Sequence, residues 1–188
     1  MQETYHSDKT FDRIDSIEKG EYEACRFDSC NFSNSNLSDF VFTDCTFTHC
    51  NLSLARLDHT AFREVRFRDC KLLGLRFEFC NDFGLAFSFE NCQLNHTTFF
   101  RKDIRNTVFR NCQLKESDFT EANLTSVVFD LCDLSKAVFD RTILEHADFR
   151  TAYGYSIDPE LNRLKKTRFS LAGLPGLLNR YDIVIDNG

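Results

Sequence analysis

Residues 112–151, cut every five residues, read CQLKE SDFTE ANLTS VVFDL CDLSK AVFDR TILEH ADFRT. The third residue of each block is large and apolar: Leu114, Phe119, Leu124, Phe129, Leu134, Phe139, Leu144 and Phe149. The first is small, as in Ser117, Ala122, Val127, Cys132 and Ala147. A period of five matches neither the 3.6 of an amphipathic helix nor the 2 of a strand, so each block must be a five-residue structure of its own.

Outward from this stretch, the same run begins at Leu94 and lasts 12 blocks, and a separate run from Ile17 to Phe77 lasts 13. All nine cysteines (Cys25, Cys30, Cys45, Cys50, Cys70, Cys80, Cys92, Cys112 and Cys132) take the small place, two residues before the large one. The other three places carry most of the Asp, Asn, Ser, Thr, Arg and Glu. Two inward and three outward positions describe a packed tube. A longer repeat of 20 residues aligns like with like: Cys30, Cys50 and Cys70; Cys92, Cys112 and Cys132; Phe109, Phe129 and Phe149. Four blocks therefore make one coil, and identical side chains stack in ladders while successive coils pair through their backbones at about 4.8 Å. About seven coils give a rod of roughly 34 Å at that spacing.

The pattern of a small residue, Asp or Asn, Leu or Phe and two polar residues resembles the pentapeptide-repeat family over residues 17–150. That resemblance implies an all-β solenoid: a right-handed quadrilateral β-helix in which each block is one face and Phe or Leu fills the core. Residues 1–16 then form an N-terminal cap. The two runs are out of phase, because Phe77 and Leu94 are 17 residues apart, three blocks plus two. The slip, within 78–93, predicts a bulge or short loop on one face over about 78–91, either a local distortion or a partner-facing protrusion.

After Phe149 the composition changes, and residues 151–188 read as a C-terminal cap, since a solenoid must cover the apolar end of its last coil. Asp158-Pro159 predicts a short helix over about 159–165. A second is expected over about 174–181, with Pro175 near its start. Ile183-Val184-Ile185 could pair as a final strand. The tail is similar in placement to that of the quinolone-resistance (Qnr) and microcin-immunity kinds of pentapeptide protein. The similarity implies a homodimer through Leu174, Leu177, Leu178, Tyr181 and Ile183, the alternative being a monomer cap.

The chain has 188 residues, 29 Asp and Glu against 23 Lys and Arg, and a net charge of −6. No basic run exceeds two residues, so direct binding to nucleic acid is not expected. No stretch approaches 18 apolar residues, and the opening MQETYHSDKTFDRID is too polar for a signal peptide; a cytoplasmic, non-membrane protein is expected. Nine cysteines without an export signal read as reduced packing residues rather than disulfides or metal ligands. His49, His59, His96 and His146 all fall at an outward place. No HExxH, P-loop, GxSxG or GxGxxG motif occurs. No enzyme activity, cofactor or metal is therefore expected.

Charge is uneven. Residues 21–60 carry six acids and two bases, residues 61–110 six acids and nine bases, and residues 111–150 eight acids and four bases. A rigid acidic rod of near-duplex width can enter a groove built for DNA, which is how the family's gyrase-binding members are understood to act. The resemblance thus implies a DNA mimic that binds DNA gyrase or topoisomerase IV, with Asp118, Glu121, Asp130, Asp133, Asp140, Glu145 and Asp148 as candidate phosphate mimics. The alternative is a scaffold for another protein, engaged through the basic waist and an outward aromatic, at Phe100, Arg105 and Arg110.

Overall fold

The computed structural model describes residues 4–181 and 183–185. Eleven short strands appear in chain order: β1 (Thr4–Ser7), β2 (Thr10–Asp12), β3 (Gly20–Glu23), β4 (Arg26–Asp28), β5 (Val41–Thr43), β6 (Thr46–Thr48), β7 (Ala61–Arg63), β8 (Val65–Arg68), β9 (Phe87–Glu90), β10 (Val108–Arg110) and β11 (Val128–Asp130). They form two parallel sheets, β1-β3-β5-β7 and β2-β4-β6-β8-β9-β10-β11. Between regular coils the pairing register is 20 residues, as in Tyr22 to Phe42 and Phe47 to Phe67. The other two faces are joined by single bridges at the same spacing, such as Asn31 to Asn51 and Asp118 to Val138. The quadrilateral β-helix is therefore present.

Its corners have a specific cause. The residue two places after most of the large ones takes a left-handed backbone: φ is 58° at Asn34, 49° at Asp44, 54° at His49, 61° at Asn106 and 65° at Gly74. Asn, Asp and Gly tolerate that region best, which accounts for their recurrence there. His49, His59, His96 and His146 are all such corner residues. Most corner N–H groups donate to a carbonyl of the next coil, as in Asn34 N to Ser53 O at 2.9 Å and His49 N to Arg68 O at 3.0 Å.

The core is a set of ladders. One contains nine phenylalanines, Phe11, Phe27, Phe47, Phe67, Phe89, Phe109, Phe129, Phe149 and Phe169, with successive ring centroids 4.5–5.4 Å apart. Most are offset-parallel, the arrangement that the coil spacing permits and the ring quadrupole favours. Beside it six cysteines, Cys30, Cys50, Cys70, Cys92, Cys112 and Cys132, make one column across the phase slip. Their thiols donate to carbonyls of the preceding coil, Cys50 to Phe27 O and Cys70 to Phe47 O at 3.4 Å, and Cys132 to Phe109 O at 3.3 Å. All nine cysteines are buried and free.

The slip is narrower than the sequence predicts. Bridges of Lys71 to Gln93 and Arg76 to Thr98 show that one coil has 22 residues. The extra length is confined to Asn81–Ala86 on a single face. Asn81 Oδ1 accepts from Phe83 N at 2.8 Å, and Gly84 turns the chain at φ 70°. Ala86 rejoins the wall through Ala86 N to Phe62 O at 2.9 Å. The four-stranded sheet stops at β7 because its next position is this bulge, whereas the seven-stranded sheet passes through β9.

The coiled stack is also longer than 17–150. His6 in β1 stacks on Tyr22 at 4.7 Å, and Phe11 in β2 on Phe27 at 5.0 Å, so residues 4–12 pair with the wall as an incomplete first coil. At the other end the expected helix over 159–165 does not form. Asp158 Oδ1 accepts from Glu160 N at 2.9 Å, closing a turn rather than capping a helix. Arg163 then bridges to Ile143 and Arg168 to Asp148, and Asn162 at the small place ties the coils through Nδ2 to Phe139 O at 3.0 Å. Burying Leu164 and Phe169 against an existing ladder offers more than an isolated helical turn would. Beyond Phe169, 3-10 turns run over Leu171–Leu177 and Asn179–Tyr181 in place of one helix over 174–181. Ser170 Oγ accepts from Gly173 N at 3.2 Å at the start of the first. Ile183–Ile185 form no strand.

Candidate partner-binding surfaces

The bulge depends on two residues that break the block pattern. At position 82, where the first run requires an apolar residue, stands Asp82; one coil on, the small place is occupied by Lys102. The ammonium of Lys102 enters the space a core side chain would fill and donates to Cys80 O at 2.6 Å and Asp82 Oδ1 at 2.5 Å. Lys102 is only 5% exposed. Phe87, oversized for the small place it takes, fills the remaining space against Phe77 and Phe89, with centroids at 5.4 and 5.0 Å. Phe83 is left at the tip, 77% exposed, with the Arg63 guanidinium 5.6 Å from its ring.

The seven acidic candidates are spread over all four faces rather than gathered. Asp130 and Asp148 lie on the Phe129 face, Asp133 on the Leu134 face, Asp118, Glu121 and Asp140 on the Phe119–Phe139 face, and Glu145 on the Leu144 face. Five are paired within the chain. Arg110 lies 3.3 Å from Asp130, Lys115 3.2 Å from Asp133, Arg141 3.3 Å from Asp140 and Arg150 2.7 Å from Asp148. Glu121 is held by Arg101 at 2.6 Å and Arg141 at 2.9 Å, and Arg101 first, then Arg141, keeps its carboxyl below the usual range. Among the described residues, Asp118 and Glu145 have no cation within ion-pair distance.

The basic waist is divided as well. Phe100 is half-buried on the Phe99 face with Arg101 over its ring at 4.8 Å. Arg105 and Arg110 lie on the next two faces, Arg110 as the last residue of β10. Phe79, on the Phe99 face, repeats the stacked arrangement with Arg76 at 4.4 Å. The sequence reading missed Phe79 and Phe83; their signal was the failure of the block pattern between 78 and 86.

A sequence model described as the pentapeptide repeat region matches residues 21–88 and 86–153, most of the chain. The chain belongs to the pentapeptide-repeat family. No curated protein matches it in sequence. Among solved structures it is similar to QnrB1, a plasmid-mediated fluoroquinolone resistance protein. One trypsin-treated variant of QnrB1 aligns with TM-score 0.65 and 15% identity over 99% of this chain and 100% of that one. A second trypsin-treated variant gives 0.63 and 15% over 98% of both, and the full-length form 0.58 and 16% over 96% and 100%. At these identities the likeness establishes a shared fold.

In this pentapeptide-repeat protein the tail residues divide. Leu177 packs on the core of its own chain. Leu174, Tyr181 and Ile183 are exposed, and Leu178 is half-buried, lining a depression of about 290 Å³ with Pro175, Asn179 and the isoleucines 183 and 185. The cap is seated by Tyr155, whose ring meets Phe149 edge-on at 5.4 Å; a Cβ on Gly176 would come within 2.5 Å of Tyr155 O. Arg180 fastens the end of the tail to Asp158 at 2.7 Å and Glu160 at 2.9 Å.

Among the described residues, no three His, Cys, Asp or Glu side chains are grouped to hold a metal ion, and no helix is long and apolar enough to cross a membrane. Burial pushes the Cys30 thiol up to about 11 and the Cys45 thiol up to about 12, so neither supplies a thiolate at neutral pH.

Proposed function

We propose that this pentapeptide-repeat protein is a non-enzymatic binding rod of the cytoplasm whose partner is a type II topoisomerase, DNA gyrase or topoisomerase IV. The observation that carries the proposal is end-to-end likeness in fold to QnrB1, a fluoroquinolone resistance protein, combined with a net charge of −6. A rod held by nine stacked rings changes shape little on binding, so its charge pattern is presented preorganised, as DNA's is. Asp118 and Glu145 present unpaired carboxylates; the other acids act through patches already shared with Arg or Lys. The exposed Leu174, Tyr181 and Ile183 support a homodimer through the tail.

A DNA-supercoiling titration with gyrase of the same organism, with and without a quinolone, tests this. Inhibition or drug rescue at low micromolar protein is the expected result, and no effect in either arm rejects it. Replacing Asp118 and Glu145 by Lys should abolish the effect if charge mimicry is the mechanism. Sedimentation as a monomer at micromolar concentration would reject the dimer. The internal pairing of five of the seven acids favours a second reading, a scaffold for a different protein. In that case the acidic reversals are silent and changes at Phe100, Arg105 or Arg110 abolish capture of the partner.

A further inference from the structure

The seven-stranded sheet carries a transverse groove along β9, immediately after the bulge. Along this face the outward residue before each ladder Phe is Arg66, Ser88, Val108 and Val128 in successive coils. Ser88 and Ala86 are the short side chains at the middle coil, and they leave a floor between Arg66 and Arg68 on one side and Arg105 and Arg110 on the other. Two adjoining depressions of about 330 and 260 Å³ share Arg66, Ser88 and Val108 and together run the length of the strand. The flanking strands β8 and β10 lie two coil spacings apart, about 10 Å, which is the width an extended peptide needs.

The residues lining this groove are mostly basic, although each of its arginines also touches one acid. Four guanidiniums face two carboxylates, Glu64 and Glu90. Arg68, Arg105 and Arg110 each meet their own acid through Nε, at 3.3 Å to Glu90, 2.8 Å to Asp103 and 3.3 Å to Asp130. For Arg105 and Arg110 the hydrogen bond to that acid also runs from Nε, and the terminal Nη groups donate none among the described residues. Each therefore retains a pair of donors suited to a carboxylate. Arg66 is engaged by Asp44 through Nη1 alone, at 3.0 Å. The four side chains are about half exposed.

We propose that the β9 groove binds an extended acidic segment of a partner protein, its backbone lying along β9 and its carboxylates reaching Arg66, Arg105 and Arg110. A nucleic acid strand is the weaker fit. Its phosphates would continue past this short groove onto faces rich in Asp and Glu, and Glu64 and Glu90 stand inside the groove itself. Of the acids invoked for topoisomerase binding, Asp130 alone touches this groove, through Arg110; the proposal rests on the scaffold reading and not on that one.

Fluorescence anisotropy with the full chain and a labelled eight-residue peptide of alternating Glu and Val tests the proposal, with an alternating Lys and Val peptide and an oligothymidine as comparisons. Saturable binding of the acidic peptide is expected, weakened by salt. Ser88→Phe fills the floor without changing charge, and Arg66→Glu with Arg105→Glu reverses the walls without touching the core; each should weaken binding at least about tenfold. Arg56→Glu, on a different face, should leave it within about twofold. Absence of saturable binding, or binding unchanged by both groove variants, overturns the proposal. So does tighter binding of oligothymidine than of the acidic peptide.

Discussion

The ammonium of Lys102 sits 2.5 Å from the carboxylate of Asp82, with the first residue buried and the second exposed at the base of the bulge. The pair joins the two positions at which the block pattern is broken, and their replacement costs should differ. Asp82→Ala leaves a buried ammonium with Cys80 O as its remaining partner, at a loss of about 1–3 kcal/mol. Adding Lys102→Ala to that variant restores the small residue and removes the stranded charge. The double variant should be more stable than Asp82→Ala alone, as read by urea denaturation.

Phe89 and Phe83 are both phenylalanines of the irregular coil and have opposite roles. Phe89 is stacked at 5.3 Å on Phe67 and 5.0 Å on Phe109, and carries the ladder across the slip. Phe89→Ala should cost about 3–5 kcal/mol, the usual loss for a buried ring. Phe83→Ala should change stability by less than about 0.5 kcal/mol, as at other exposed positions. Thermal melts of the two variants check this.

The nine thiols are packed within the coils and should behave as core atoms. Ellman's reagent at neutral pH is expected to titrate essentially none in the native protein and all nine after denaturation. Rapid native reaction of one or more would show that a ladder opens. Cys70→Leu should destabilise by about 1–3 kcal/mol through overpacking, whereas Cys70→Ala should be milder.

Acid should weaken the C-terminal end first. The backbone N–H of Glu160 and then the Arg180 guanidinium hold Asp158 below its usual range, and Arg150 does the same for Asp148. A carboxylate with a depressed folded pKa contributes stability that is present above its unfolded value and lost as pH falls through the folded one. Urea midpoints should therefore be level down to about pH 5 and fall below about pH 4. Asp158→Asn should flatten that fall, and hydrogen exchange should show residues 171–181 released before the coils.

Much of this architecture was legible because it is local and repeated. A large residue every fifth place and a small one two places before it leave few ways to bury Phe27, Phe47 and Phe67 together, and the 20-residue alignment sets four faces per coil. The ends were less legible. Leu164 and Phe169 continue the register of Phe149, but Gly154 and Pro159 interrupt it, and Asp158-Pro159 resembles a helix start when read alone. Only the exposed end of the ladder, waiting to be covered, makes another coil the better outcome.

The candidate surfaces divide along the same line. The sequence determined which residues point outward, including Asp130, Arg110 and Phe100, because outward places recur every five residues. It could not determine which outward residues meet, since that depends on the corner geometry and on where two additional residues leave the wall. Tertiary structure placed Arg110 against Asp130, scattered the acids over four faces, and drew Arg66, Arg105 and Arg110 around Ser88. Those relationships join residues about 20 or 40 apart in sequence, and they arise from stacked coils rather than from any local preference of the chain.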